Sequence, residues 1–204
     1  MNATELPTEL ATGLRHIDDA QLARLHARLA AQAQNEGLLD IAYRTVDSPV
    51  GSLLVAATVA GLMKVAFEIQ DHDAVLAALA EKVSPRILKS PGRLDPVARQ
   101  LDEYFAGDRR AFDLELDWRL AAGFRRQVLD HLTGIAYGRT ESYAEVAAGT
   151  GSPRAVRAVG TACATNPLVV VVPCHRVVRS DGSAGGYAGG AGAKQTLLTL
   201  ESAA

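Results

Sequence analysis

The chain has only two cysteines, Cys163 and Cys174, in 204 residues. Two thiols are too few for the disulfide framework of a small secreted domain or for an all-cysteine metal site, and the pair suits a reducing compartment. No stretch approaches the roughly 18 apolar residues that a membrane span needs. The start, MNATELPTELATGLRHIDD, lacks a basic segment followed by an apolar run, so no secretory signal is read and a cytoplasmic location is expected. Internal repeats and collagen-like or disorder-type bias are absent as well. With 48% hydrophobic and 22% charged residues, the length suits one large or two modest globular domains with a real core.

There is also little net charge, −2, which argues against a general nucleic-acid binder until it is divided along the chain. Residues 1–118 hold 12 Arg and Lys against 18 Asp and Glu, whereas residues 119–179 hold 8 Arg against 3 acids, a local balance of +5. A basic surface confined to one segment is enough to meet a phosphate backbone. Arginines that simply face solvent on helices would give the same count.

Three segments are expected: a helical extension over 1–40, a small α/β unit over 41–118, and a second unit over 119–204. In DDAQLARLHARLAAQAQ, Leu22, Leu25 and Leu29 recur at helical spacing after Asp18 or Asp19 as cap, and this apolar stripe needs a partner; His26 is read as a surface residue. YRTVDSPVGSLLVAATVAGLMKVAFEI contains two strand-like runs with Ala60-Gly61 between them, a hairpin or meander. Helical patterns follow over 73–82 and 96–105, the second with Pro96 in its first turn, and FDLELDW reads as one further strand. Beyond a loop at Leu120 to Gly123, FRRQVLDHLTGI is a helix carrying His131 in a structural or surface role. SYAEVAAGTG is a short helix capped by Ser142, and SPRAVRAVGTACATN a helix capped by Ser152 with Pro153 in its first turn. Two short helices across a glycine-containing turn, the second bearing Arg154 and Arg157, have the form of a helix-turn-helix.

The chemistry concentrates in VVVVPCHRVV. β-Branched valines prefer a strand, and Pro173 lacks a backbone donor, so Pro173 is expected to end a buried strand and fix the approach to Cys174. A thiol with an ordinary pKa of about 8.5 is only a few per cent thiolate at neutral pH, so a nucleophilic cysteine needs a base or positive surroundings. His175 and Arg176 supply both types, and Glu201 is a candidate to orient the imidazole. Spacing alone leaves a Cys-His nucleophile, a structural turn and metal binding all open; Cys163, in an alanine-rich helix, reads as a packed, inert thiol. SDGSAGGYAGGAGAK then gives a glycine loop in which backbone can approach a ligand, with Tyr187 as a wall. It is neither a dinucleotide fingerprint nor a P-loop.

The run SPRAVRAVGTACATNPLVVVVPCHRVVRSDGSAGGYAGG, followed by KQTLLTLE, closely resembles the methylated-DNA–protein-cysteine methyltransferases, also called O6-alkylguanine-DNA alkyltransferases. PCHRV is their acceptor motif, with RAVG and NP upstream and GYAGG downstream in the expected order. The likeness extends from about Tyr43 through Glu201. It implies a two-domain α/β (α+β) fold, a small sheet-and-helix domain followed by a mainly helical domain with a helix-turn-helix. It further implies irreversible, single-turnover transfer of the alkyl group from O6-alkylguanine, and also O4-alkylthymine, in double-stranded DNA to the protein's own cysteine after base flipping. By correspondence, Cys174 is the acceptor, His175 the base acting through water, Glu201 its orienting acid, Asn166 the residue steadying the turn, and Tyr143 the phenol assisting the departing guanine. Arg157 would take the flipped base's place in the stack, with Arg154, Ser152 and Tyr143 also facing DNA. Tyr187, Ala188 and Gly186 would border the guanine pocket, and Lys194 would position the segment before Glu201. No metal, cofactor or membrane partner is implied, and a monomer is expected. The alternative is an alkyl-damage sensor that binds without transfer; such relatives lack the cysteine that is present here. Residues 1–40 exceed the shorter family members, and the four cysteines of the zinc-binding modules that accompany some relatives are missing.

Overall fold

The computed structural model describes residues 18–202. Helix α1 (Asp19–Asn35) begins where the Asp18 carboxylate accepts from the Gln21 amide at 2.6 Å. Its leucine stripe does not pack. Ala30 and Ala33 are buried, on a helix that contacts β4, while Leu22, Leu25 and Leu29 remain 44%, 50% and 53% exposed. Small alanines allow the close approach, and the side chains that gave the stripe its periodicity lie on the other side; His26 is exposed.

A four-stranded sheet follows, in the order β3-β2-β1-β4. Strands β1 (Ile41–Val46), β2 (Leu53–Thr58) and β3 (Gly61–Phe67) form an antiparallel meander, and β4 (Ile87–Lys89) lies parallel to β1. Every residue of β2 is buried, because both faces of the sheet are covered. Ile41, Ala56 and Met63 meet Leu79 of α2 (His72–Lys82) on one face. Ala42, Val55 and Val65 join the main core on the other, together with Leu94, Val97, Leu101 and Tyr104. The last three lie on α3 (Asp95–Phe105) at spacings of four and three, one stripe of a helix with Pro96 in its first turn. Strand β4 sits in the proline-punctuated stretch that periodicity could not resolve.

FDLELDW is not a strand. It makes a single bridge, Leu62 to Leu116, with the Leu62 amide donating to the Glu115 carbonyl at 2.8 Å. A ladder needs a longer uninterrupted edge, and a short helical turn at Trp118–Leu120, opened by Asp117, ends this one.

The helical domain contains α4 (Gly123–Thr133), α5 (Tyr143–Gly149), α6 (Val156–Ala164) and α7 (Gly190–Ser202). A two-stranded parallel pair, β5 (Glu141–Ser142) with β6 (Val177–Val178), ties the entrance of α5 to the segment after Cys174. Ser142 caps α5 in a reciprocal capping box with Glu145. Ser152 does not cap α6. That helix starts at Val156, three residues later than a Ser152 cap would require, because Ser152 closes a turn in which its carbonyl accepts from the Ala155 amide at 2.8 Å. His131 of α4 instead pairs with Glu141 at 2.8 Å, a structural link to β5. The two domains join directly: the Val65 amide of β3 donates to the Pro167 carbonyl at 2.8 Å, and Phe67 meets Tyr187 edge-on with ring centroids 5.5 Å apart.

Candidate active site

The valine run forms a compact buried turn rather than a strand. The Val172 amide returns to the Leu168 carbonyl at 2.8 Å, and Val170 takes a positive φ of 71°, which a β-branched residue adopts only when its surroundings over-determine it. Leu168, Val169, Val170 and Val172 are almost fully buried, so apolar burial holds the turn despite the unfavourable backbone. Asn166 closes it from inside. Its side-chain oxygen accepts from the Leu168 amide at 2.9 Å, and its Nδ2 donates to the Val172 carbonyl at 2.9 Å and to Cys174 Sγ at 3.1 Å. One amide therefore sets both ends of the turn and touches the sulfur.

Pro173 leads into a short helical turn, Cys174–Arg176. Turning rather than extending separates the three side chains by function. His175 is fully buried, and its Nε2 lies 2.8 Å from Glu201 Oε1. Glu201 also receives Arg176 Nε and a terminal guanidinium nitrogen, each at 2.8 Å, the Tyr104 hydroxyl at 2.7 Å and the Gly138 amide at 3.2 Å. Burial alone would push this carboxyl up, but the bonds from His175 and Arg176 outweigh it and hold Glu201 well below the ordinary carboxylate range. An ionised acceptor puts the imidazole proton on Nε2. Nδ1 is then left with a lone pair, and it is buried without a hydrogen-bond partner among the described residues.

Burial lowers the His175 pKa despite the adjacent carboxylate, so the ring is neutral and available as a base at neutral pH. Cys174 is buried too, at 2% exposure, and burial pushes its thiol up to about 11, opposed in part by the Asn166 bond and the Lys194 charge. The resting sulfur is thus a thiol, and its proton must be taken during reaction.

Arg176 is not the positive neighbour of the sulfur that adjacency in sequence suggested. Its guanidinium points to Glu201 and to the Ile135 carbonyl, where it orients the acid. Tyr104 and Gly138, the other two donors to Glu201, carry no local motif; only the pairing of distant segments reveals them.

A cavity of about 490 Å³ lies between α6, the start of α5 and the glycine loop. Tyr143, Gly186, Tyr187 and Ala188 line it together, joined by Gly160 and Ala164 of α6 and by Arg179, which residue patterns did not single out. Gly185 has φ 65°, and a Cβ there would sit 3.1 Å from the Tyr143 hydroxyl, so glycine lets the loop close over the phenol. Burial raises the Tyr143 pKa, which keeps it a donor. Lys194 is not part of this lining. It is fully buried, and its ammonium donates to the Val177 carbonyl at 2.6 Å, fixing α7 to the strand after the Cys174 turn. Arg157 and Arg154 are exposed, on the first turn of α6 and just before it, and a shallow hollow beside them is lined by Ser152, Pro153, Arg154 and Ala155. Cys163 is buried in α6, and burial pushes its thiol up to about 12.

Two family models match the chain: the 6-O-methylguanine DNA methyltransferase ribonuclease-like domain over residues 41–118 and the DNA binding domain of the same proteins over 123–203. A methylated-DNA–protein-cysteine methyltransferase of Mycolicibacterium paratuberculosis is 42% identical over 161 residues, which cover 79% of this chain and 92% of that one. The constitutive enzyme of that name from Bacillus subtilis is 37% identical over 160 residues, 78% of this chain and 94% of the relative. Among solved structures, the Mycobacterium tuberculosis OGT in complex with DNA superposes with a TM-score of 0.71 at 39% identity, covering 79% of this chain and 93% of that one. With both domain models matched in order and such identity across nearly the whole length of these relatives, the chain belongs to the 6-O-methylguanine DNA methyltransferase family.

Proposed function

We propose that the protein repairs DNA by transferring the alkyl group of O6-alkylguanine to Cys174, once per molecule. The observation that carries this reading is the acceptor turn: a sulfur held by Asn166, followed by a neutral histidine whose Nε2 is fixed by Glu201 and whose buried Nδ1 has no partner among the described residues. A water between Nδ1 and Sγ gives the thiol proton a route to the imidazole. The thiolate then attacks the alkyl carbon, the S–C bond forms as the C–O6 bond breaks, and the electron pair leaves on guanine. The Tyr143 hydroxyl hydrogen-bonds the charge developing on the base, which takes up a proton as it is released. The thioether product has no low-energy return to thiol, so the reaction is stoichiometric.

Reaching the cavity requires the nucleotide to leave the stack, at a cost of a few kcal/mol. Exposed Arg157 at the start of α6 is suited to fill the gap it leaves, with Arg154 and Ser152 beside the backbone. The substrate is double-stranded DNA, with O4-alkylthymine as a second lesion, and the acting species is a monomer. The division at 40 and 118 and a cytoplasmic setting complete the reading; two buried free thiols favour a reducing compartment. Among the described residues no helix is long and apolar enough to cross a membrane. A damage sensor without transfer is disfavoured by the thiol itself.

The test is to incubate the protein with a duplex containing labelled O6-methylguanine and locate the label by peptide mass analysis. Label on Cys174 and its loss in Cys174→Ala are expected; lesion removal with Cys174 unmodified would reject the mechanism.

A further inference from the structure

A second cavity, of about 450 Å³, opens where α2 and β3 of the sheet domain meet the interdomain segment and the end of α6. Four cations line it: Lys64 of β3, Lys82 in the last turn of α2, Arg119 before the helical domain, and Arg125 in the first turns of α4. Among the described residues no carboxylate is in the lining. Arg119 is paired, 2.7 Å from Asp117, and Arg125 donates to the Leu120 carbonyl. Lys64 has no ion pair or hydrogen bond among the described residues, although it is half-buried and burial alone depresses its ammonium pKa.

A half-buried cation without a counter-charge is costly, and a solvated surface lysine would avoid the cost by extending into water. Here Lys82 and Arg125, neither paired with a carboxylate among the described residues, approach the same space beside the paired Arg119, which adds repulsion unless an anion occupies it. Two guanidinium groups and two ammonium groups offer charged donors to the oxygens of a phosphate, which arginine can engage with two parallel bonds. Leu79 and Leu120 supply an apolar wall beside the charges.

We propose that this interdomain cavity is a binding site for a phosphate group, distinct from the base cavity. The phosphate comes either from a free phosphorylated small molecule or from a phosphodiester of bound DNA. Thr165 and Pro167 form its far edge, on either side of the Asn166 that touches Cys174 Sγ, and Val65 clamps Pro167 from the sheet side. The site thus grips both domains at the base of the acceptor turn.

The full chain is titrated with inorganic pyrophosphate by calorimetry and thermal unfolding at constant ionic strength, alongside Lys64→Met, Lys82→Gln and the double variant. Separately, the affinity of each for a lesion-free duplex is measured against salt. Pyrophosphate binding that weakens about tenfold or more in the double variant, as expected for lost charge-assisted bonds, with an unchanged salt slope, assigns the site to free phosphates. A salt slope shallower by about 0.9 per cation removed assigns it to the duplex backbone. Lys82→Gln, exposed at a helix end, should weaken the same readout without disturbing the fold, and transfer to free O6-benzylguanine should stay unchanged in all three variants. No pyrophosphate binding by the wild type together with unaltered salt slopes overturns the proposal. Because the pyrophosphate arm involves no lesion, it reads independently of whether alkyl transfer occurs.

Discussion

The hydroxyl of Tyr104, in the sheet domain, donates at 2.7 Å to the same Glu201 oxygen that faces His175 Nε2 at 2.8 Å. The two residues are 97 positions apart, and both are buried. The sheet domain therefore contributes directly to the polar network behind Cys174, and is more than a support for the DNA-binding half. Arg176 completes the same network from the turn itself, so the carboxylate is held on three sides.

Tyr104→Phe removes one bond to a buried carboxylate while His175 and Arg176 still serve it. A loss of about 1.5–3 kcal/mol is expected, as for hydrogen bonds to charged groups, read as a lower urea midpoint with an unchanged slope. Alkyl transfer should slow modestly, since the imidazole loses a restraint on its acid and keeps its own bond. An unchanged midpoint would mean that the Tyr104 bond contributes nothing net.

Asn166→Ala leaves the buried Val172 carbonyl without its side-chain donor and strips the sulfur of its only hydrogen bond from a side chain among the described residues. Stability should fall by about 1–3 kcal/mol. The thiol pKa should rise above its already elevated value, because that bond favours the thiolate. The pH dependence of alkylation of Cys174 by a small haloacetamide measures this, and a downward shift would contradict the role of Asn166.

Transfer should be nearly independent of pH between the depressed His175 pKa and the thiol pKa of about 11, and should decline in acid as the imidazole takes a proton. His175→Gln preserves a donor to Glu201 but has no base. Its transfer rate should rise about tenfold per pH unit through neutrality, following the thiolate fraction. A flat profile in that variant would show that His175 is not the base.

Stability should also fall in acid, and the sign follows from both buried groups. The folded His175 pKa lies below its usual 6.5, so below that pH the unfolded chain binds more protons and the folded state loses ground. Glu201, held below its usual 4.5, adds to the loss as pH drops further. Urea unfolding at pH 7.5, 5.5 and 4, round values within about the ordinary titration ranges, gives the comparison, with progressively lower midpoints expected.

Arg157→Ala should impair repair of a duplex lesion more than reaction with free O6-benzylguanine, because only the duplex requires a residue to fill the vacated stack. Single-turnover rates on both substrates are the check, and equal losses would remove that role from Arg157.

Local patterns in the chain were informative wherever a short segment determines its own state. The 73–82 and 96–105 helices, the β2–β3 hairpin around Ala60-Gly61 and the Ser142 cap all follow from periodicity and capping chemistry, and the structure contains each. Local pattern misleads where burial competes with propensity. Four valines suggested a strand, but Asn166 and the surrounding apolar core hold them in a turn with Val170 at positive φ. The α1 leucines suggested the packed face, but the alanines are the ones that are buried.

The sequence by itself determined the PCHRV motif, the order of the two domains, and the presence near one another of Cys174, His175 and Asn166, because these lie within ten residues and their types dictate the chemistry. Only the tertiary structure decided that Arg176 serves Glu201 rather than the sulfur, that Tyr104 joins that network, and that burial pushes the thiol further up. Each of these depends on burial and on charges brought together from distant segments, and the electrostatic cost of an interior site exists only once the chain has closed around it.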